Sequence, residues 1–341
     1  MPTTSPIPSN FFDPFYWPIH LPTIVVLGAA IGSFLNVCIY RIPLGISLSW
    51  PGSHCYSCGQ PVRWYDNIPL VSYLVLRGHC RHCGAHFSPR YFFVELLTAA
   101  LVLGAALKLN YTLALIPAWI FTCLLIVGTF TDIDHWIIPD RITIGGTAVG
   151  LLLAAAWPIG LAAGNPLAEG FWWDVPLQAR PFVNSALGAI AGFAILYGVG
   201  WIGTLIFHKE AMGFGDVKLF AMLGSFCGVA YLLHILVISC LIGSVVGLVG
   251  MLRGWLARNR PVDPAVAPLA PDPELATRLA AEHRLHETER RALRQAATKP
   301  GAVGPVRHHL PFGPSLAIGA LIVYFYGPVL TRLFDRIVLG Q

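Results

Sequence analysis

Charge is scarce in this sequence. Asp, Glu, Lys and Arg together make up 11% of its 341 residues, against about 25% in an ordinary water-soluble domain. This excludes a solvated globular surface. With 55% of residues hydrophobic and a mean hydropathy of +0.65, the solvent of this chain is lipid. Other absences narrow the reading further. No Lys or Arg precedes the first apolar run in MPTTSPIPSNFFDPFYWPIHLP, so no cleaved signal peptide is expected and the first helix is retained. The net charge of +5 is not gathered on a soluble basic face with aromatics, which argues against a nucleic-acid partner. No G-x-G-x-x-G follows a strand, and no soluble segment is large enough for a Rossmann-type site.

What is present is a series of apolar stretches long enough for a hydrocarbon core of about 30 Å. Eight spans are expected, at 22–40, 91–107, 112–131, 142–162, 185–207, 217–229, 231–252 and 311–331. Each should be helical, because lipid offers no partner to a free N–H or C=O. The expected fold class is thus an all-α polytopic membrane protein. Basic residues set its orientation, since positive loops stay cytoplasmic. Only Lys108, Arg180, Arg332 and Arg336 oppose an arrangement with both termini outside the cytoplasm, leaving 18 of the 22 basic residues in agreement.

Two loops are long. The first, 41–90, contains HCYSCGQPVRWYDNIPLVSYLVLRGHCRHCG, with Cys55, Cys58, Cys80 and Cys83 in two C-x-x-C pairs. Four thiolates suit tetrahedral zinc, and with all positions filled by sulfur the ion would be structural. Two disulfides are the alternative, disfavoured in a reducing cytoplasm. His54, His79, His82 and His86 read as flanking polar residues. Cys38, Cys123, Cys227 and Cys240 sit in apolar spans and read as small core residues. The second loop, 253–309, opens with RPVDPAVAPLAPDPE and continues in an Ala/Leu/Arg/Glu-rich stretch expected to form an exposed helix.

Acids stand at the membrane boundary in two places. The third span ends in GTFTDIDHWIIPD, with Asp132, Asp134 and Asp140, and the sixth opens in KEAMGFGDVKL, with Asp216. By the charge rule all four lie at the cytoplasmic face. Converging carboxylates in a poorly solvated site cannot both ionise cheaply, so one keeps its proton. The ionised member can take a proton from attacking water while the protonated member polarises a scissile carbonyl, without a covalent intermediate. Gly213 and Gly215 would let the backbone approach closely or adopt positive φ. Alternatively, Asp216 and Asp140 are helix N-terminal caps, a reading preferred for Asp140, or the acids serve an ion path.

Taken together, GSFLNVCIYRIP, the tetracysteine stretch, SPRYFFVELLT, TDIDHWIIPD, EAMGFGDVKL and PFGPSLAIGA resemble the type IV prepilin peptidases, in the order that family shows and over most of the chain. The resemblance implies a bacterial inner-membrane GxGD aspartic endopeptidase facing the cytoplasm. Such an enzyme removes the short basic leader of type IV prepilins or type II secretion pseudopilins after a glycine. It also N-methylates the new terminus, with S-adenosylmethionine as donor.

By motif, the resemblance implies catalytic Asp132 and Asp216, with Asp134 the competitor for the first role; Asp132 is favoured by its spacing to Ile138-Pro139. Glu210 and Lys218 would tune the dyad or contact substrate, Lys218 otherwise being a snorkelling interface residue. Glu95 is an intramembrane acid expected to pair with Arg41 or Arg90 and placed near a methyl-donor site at the zinc loop. Asn36 is expected to bond a neighbouring helix. Gly28, Gly32, Gly188, Gly192, Gly243 and Gly247 are expected to permit close helix packing. The expected domains are a first segment to residue 40, the zinc loop at 41–90, the protease core at 91–252, the insertion at 253–309 and the last span from 310. Prepilin or pseudopilin substrates and the lipid bilayer are the expected partners. Alternatives are a purely proteolytic GxGD membrane protease, an ion carrier using the same acids, and a scaffold built on the zinc loop.

Overall fold

The computed structural model describes residues 17–50, 52–55, 57–109, 114–156, 179–208, 212–258 and 312–338. Glu210 and the insertion beyond Arg258 lie outside them. The elements are α1 (Trp17–Leu44), α2 (Val71–Val75), α3 (Arg90–Leu109), α4 (Leu115–His135), α5 (Asp140–Ala156), α6 (Arg180–Phe207), α7 (Phe214–Cys227), α8 (Leu232–Arg258) and α9 (Gly313–Val338). No named strand occurs among the described residues, only two isolated bridges, His54 to Pro61 and His79 to His86. The chain is all-α, as its apolar composition requires.

Six helices are long and apolar enough to cross a membrane: Ile19–Leu44, Arg90–Leu109, Leu115–His135, Arg180–Phe207, Val229–Leu252 and Gly313–Arg332. The expected fourth and sixth spans correspond to α5, described over 17 residues, and α7, of 14. Neither reaches spanning length within the described residues, so the count of eight is not reached. Three threonines inside the apolar helices are satisfied by their own backbone: Thr98, Thr122 and Thr131 each donate to the carbonyl four residues earlier, at 2.7, 2.7 and 2.8 Å. They therefore leave no unpaired hydroxyl facing hydrocarbon.

Glycine sets two close helix pairs. A Cβ at Gly28 would lie 2.8 Å from Ala99 Cα, and one at Gly32 would lie 2.7 Å from Glu95 Cα, so α1 and α3 touch backbone to backbone. Asn36 adds a hydrogen bond to Tyr91 O at 3.0 Å, the expected inter-helix contact. Between α6 and α7, a Cβ at Gly188 or Gly224 would fall well inside 3.0 Å of the opposing carbonyl group, and one at Gly192 would lie 2.6 Å from Phe220 O. At Gly243 the nearest atom, Ser315 Oγ, is 3.4 Å away, an ordinary contact.

The main core gathers α4, α7, α8 and α9. Phe121 stacks on Phe226 at 4.7 Å and leans on Tyr324 at 5.0 Å, among Leu223, Leu232, Ile235, Leu316 and Val323. A second cluster joins α1, α3, α4 and α5 through Leu35, Ile39, Val94, Ile126 and Ile142. By contrast α6 and α8 turn large apolar side chains outward, including Ile190, Trp201, Ile206, Leu241 and Leu248. Surfaces of that kind need lipid or protein to cover them. Cys38 and Cys227 are buried as expected, whereas Cys240 lies on the exposed side of α8, a correction to its reading as a core residue.

Candidate active site

The helix bearing the first acids runs further than its hydropathy implied. Apolar character fades at 131, but α4 continues to His135 and ends where Trp136 turns left-handed (φ 55°), its N–H bonding Asp132 O at 2.9 Å. Asp132 and Asp134 are therefore both helical, and two residues along a helix rotate the side chain by about 200°. They face opposite ways. Asp134 forms an ion pair with Arg90, at the start of α3; the same guanidinium lies 5.1 Å from the Phe130 ring. Asp132 instead turns inward and is only 7% exposed.

Asp216 comes to the same place from a different helix. Gly213 is the extended N-cap of α7 (φ −68°, ψ 136°), and Asp216 N–H bonds Gly213 O at 3.1 Å, so the carboxylate rises from the first turn. Asp132 lies close enough for its charge to act on Asp216. Between them runs the loop from Trp136 to Pro139, whose Ile138 is buried in the core and would lie 3.6 Å from a Cβ at Gly215.

The reason expected for Gly213 and Gly215 is not found. Neither adopts positive φ, and neither is squeezed by a neighbouring backbone. Next to Gly213, the nearest atom to an added Cβ is Asp216 Oδ2 at 3.6 Å. The missing side chain thus leaves room beside the carboxylate.

Lys218 points away from the acids to Asp140, 2.6 Å off, and lies 4.8 Å from the Phe214 ring. It tethers α7 to α5. Asp140, the acid read as a cap, is the other end of that tether.

One residue of this site was missed by the sequence reading. Gly313, the first residue of α9, directs its main-chain N–H at the Asp132 carboxyl. Its string, PFGPSLAIGA, carried the family resemblance but was given no task. The charge rule already put the start of the last span on the same face as the acids, which was the available signal.

The loop between α1 and α3 builds a second site. Cys55, Cys58, Cys80 and Cys83 bring their sulfurs within 4.8 Å of one another, with Cys55 and Cys83 at 3.8 Å. A tetrahedron with Zn–S bonds of about 2.3 Å has edges of about 3.8 Å, so the donor set fits zinc. Each half is a C-x-x-C-G knuckle. Gly59 and Gly84 both take φ +69°, and their N–H groups return to Cys55 O at 2.8 Å and Cys80 O at 2.9 Å. All four cysteines are free thiols, and no His joins the cluster among the described residues. Burial pushes the Cys80 thiol up, but the N–H groups of Cys83 and His82 and the neighbouring sulfurs outweigh it and bring it down to about 7.

A cavity of about 600 Å³ opens between this loop, α1 and α3, lined by Ser33, Asn36, Tyr40, Asp66, Tyr73 and Glu95 among others. Glu95 does not pair with Arg41 or Arg90. Arg41 is turned to Ser47 O at 2.9 Å, and Arg90 to Asp134. The Glu95 carboxylate accepts the Leu70 N–H at 2.7 Å and a hydrogen bond from Ser33. Leu70 holds φ 62°, ψ −49°, a costly conformation for a residue with a side chain. The anchor across to α3 helps hold it.

Comparison with known proteins decides the family. Residues 26–109 match the Bacterial Peptidase A24 N-terminal domain and residues 119–248 the Type IV leader peptidase family. The prepilin leader peptidase/N-methyltransferase of Myxococcus xanthus (strain DK1622) is 34% identical over 334 residues, 94% of each chain. The chain belongs to the type IV leader peptidase family. Other members stand at similar distance: the Aeromonas salmonicida prepilin leader peptidase/N-methyltransferase is 30% identical over 93% of this chain and 94% of its own. A type 4 prepilin-like proteins leader peptide-processing enzyme of Escherichia coli O78:H11 is 38% identical over 67% of this chain and 86% of its own. No solved structure matches the chain. The two family segments divide the sites described here. The cysteine knuckles, Glu95 and the cavity fall in the A24 N-terminal segment, whereas Asp132 and Asp216 fall in the leader peptidase segment.

Proposed function

We propose that this member of the family cleaves the basic leader from type IV prepilins or type II secretion pseudopilins with Asp132 and Asp216 as an aspartic dyad, after a glycine and at the cytoplasmic face of the bacterial inner membrane. The observation that carries the reading is that two carboxylates from separate helices stand within electrostatic reach of each other, one of them buried, with the segments that bear them both against Ile138 and room left beside Asp216 by Gly213. The ionised carboxylate takes a proton from water as the water attacks the scissile carbonyl, and the protonated one polarises that carbonyl. Collapse of the tetrahedral intermediate then breaks the C–N bond, with a proton passing to the leaving amine. The distribution of basic residues supports the cytoplasmic assignment. An ion carrier is disfavoured because the acids sit at helix ends rather than along a path through the bilayer.

Cleavage of a prepilin peptide by the purified chain in lipid tests the proposal. Asp132→Asn and Asp216→Asn should each abolish it while the fold is retained. Survival of cleavage in either variant sinks the dyad.

The same chain then N-methylates the new amino terminus. The cavity between α1, the knuckles and α3 supports this second activity: it is of a size for S-adenosylmethionine and carries the half-buried Glu95 carboxylate. S-adenosylmethionine supplies the methyl group when bound; Ser33, Asn36 and Tyr73 would line its site, with zinc on the four cysteines holding the loop in shape. The string GVGWIG at 198–203 is no rival donor site, because it lies inside α6. Glu95→Gln keeps an acceptor for Leu70 N–H but removes the charge, so it should lose methyl transfer and retain cleavage. Full methyl transfer by that variant would refute the assignment.

A further inference from the structure

We infer that Gly313 is a positioning residue for Asp132, so that the opening turn of α9 is a third wall of the peptidase site alongside α4 and α7. A Cβ at 313 would stand 2.5 Å from Asp132 Oδ2, 3.2 Å from its Cγ and 3.3 Å from Ile138 Cδ1. No side chain fits there unless the carboxyl moves.

The glycine is not demanded by the backbone, since residue 313 is helical and has no positive φ. Nor is it demanded by helix stability, for alanine is the better helix residue. What remains is the carboxylate. Asp132 is buried, its Oδ2 has no hydrogen-bond partner among the described residues, and the Gly313 main chain is the backbone group that acts on the carboxyl. Pro314, next in sequence, has no N–H to offer. Leu316 N–H is already bonded to Phe312 O at 3.1 Å. The free amide at the start of a helix favours negative charge, and here it points at one of the two acids. Gly313 thereby fixes where that carboxyl sits relative to its partner on α7 and to Ile138.

This inference rests on the reading of Asp132 as half of the dyad. Its test uses the full chain in lipid and three measurements on Gly313→Ala: kcat and KM for a prepilin peptide, methyl transfer to the peptide already cleaved, and the unfolding midpoint. A displacement of about 1 Å at a reacting group lowers rate about 100-fold. The expected result is therefore a kcat about 100-fold down, with KM, methyl transfer and midpoint held. A purely structural glycine predicts instead that cleavage, methyl transfer and midpoint move together; that pattern, or full cleavage, overturns the inference.

Should Gly313→Ala lose its fold, adding Ile138→Val removes the Cδ1 atom and decides the matter. Restored fold with cleavage still depressed supports the inference, and restoration of both overturns it. Asp132→Asn run alongside separates two failures. Cleavage surviving Asp132→Asn defeats the dyad itself, whereas an inactive Asp132→Asn beside a fully active Gly313→Ala defeats only the role of Gly313.

Discussion

Gly224→Ala adds one carbon at the closest point between α6 and α7, and its effect can be worked out from the contacts there. The new Cβ would lie well inside 3.0 Å of the Gly188 carbonyl and 3.1 Å from Ala189 N. All of these are backbone atoms, so no rotamer change relieves the clash and the helices must part by roughly 1 Å to regain ordinary contact. Two hydrogen bonds cross the same seam, the buried Ser185 Oγ to Ser225 O at 2.7 Å and the partly buried Val229 N to Asn184 Oδ1 at 3.1 Å. Parting the helices weakens both. Overpacking costs about 1–3 kcal/mol, and a buried polar group left unsatisfied about 1–3 more. Summed in full, the two costs reach about 2–6 kcal/mol, a large fraction of a typical folding free energy of about 5–15 kcal/mol. Because α7 also carries Asp216, about 12 Å along the axis at about 1.5 Å per residue, cleavage should fall with stability. The assay is thermal unfolding in detergent paired with peptide cleavage, with Gly198→Ala as control, since nothing lies within 4 Å of a Cβ there. An unchanged midpoint for Gly224→Ala, or an equal loss for Gly198→Ala, would refute the reasoning.

Asp134→Asn should leave cleavage within a few-fold of the starting chain, because its partner is Arg90 rather than the facing acid; abolished cleavage with intact folding would mean the wrong acid has been assigned. Lys218→Ala breaks a pair whose Asp140 side chain is 62% exposed, so stability should fall by less than about 1 kcal/mol, as read from the unfolding midpoint. Elemental analysis of the purified chain should find one zinc per chain, reduced by Cys80→Ser. Zinc needs thiolates, and the Cys80 thiol is held below its ordinary value at about 7. Because bound zinc keeps its thiolates deprotonated, retention should stay full through neutral pH and be lost only in acid well below the thiols' own range; retention that improves towards acid would contradict the assignment.

Much of this molecule was legible in its sequence, because hydropathy reports the solvent of each segment. The ends of α3 fall within two residues of the 91–107 stretch, and the four cysteines meet as their spacing implied. What hydropathy does not report is direction. It ended the third span at 131, so Asp132 and Asp134 looked equivalent, and only the continuation of the helix to His135 turns them apart. It marked Glu95 as an acid in lipid and led to a basic partner, whereas the partners are a backbone N–H and a hydroxyl, both invisible to charge counting. It drew attention to Gly213 and Gly215, flanking an acid in sequence, while the glycine crowded against a carboxylate lies far away at 313. Glycine pairs such as 188 and 192 were readable as packing, since their spacing alone puts them on one helix face.

The join between the two family segments is narrow in kind. It includes the Arg90 to Asp134 ion pair, the Arg90 to Phe130 ring contact, a hydrogen bond from the Trp119 indole N–H to Val102 O at 3.2 Å, an apolar patch of Leu35, Cys38, Ile39, Val94, Ile126, Val127 and Ile142, and a second where Trp119 packs on Ile24, Val102 and Ala105. No cysteine knuckle takes part in it. A join made mostly of shape and hydrocarbon is insensitive to salt and to charge-neutralising substitutions at its edge. Direction comes from few groups, Arg90 at the head of α3 and the Trp119 indole on α4, and hydrocarbon supplies the rest of the fit.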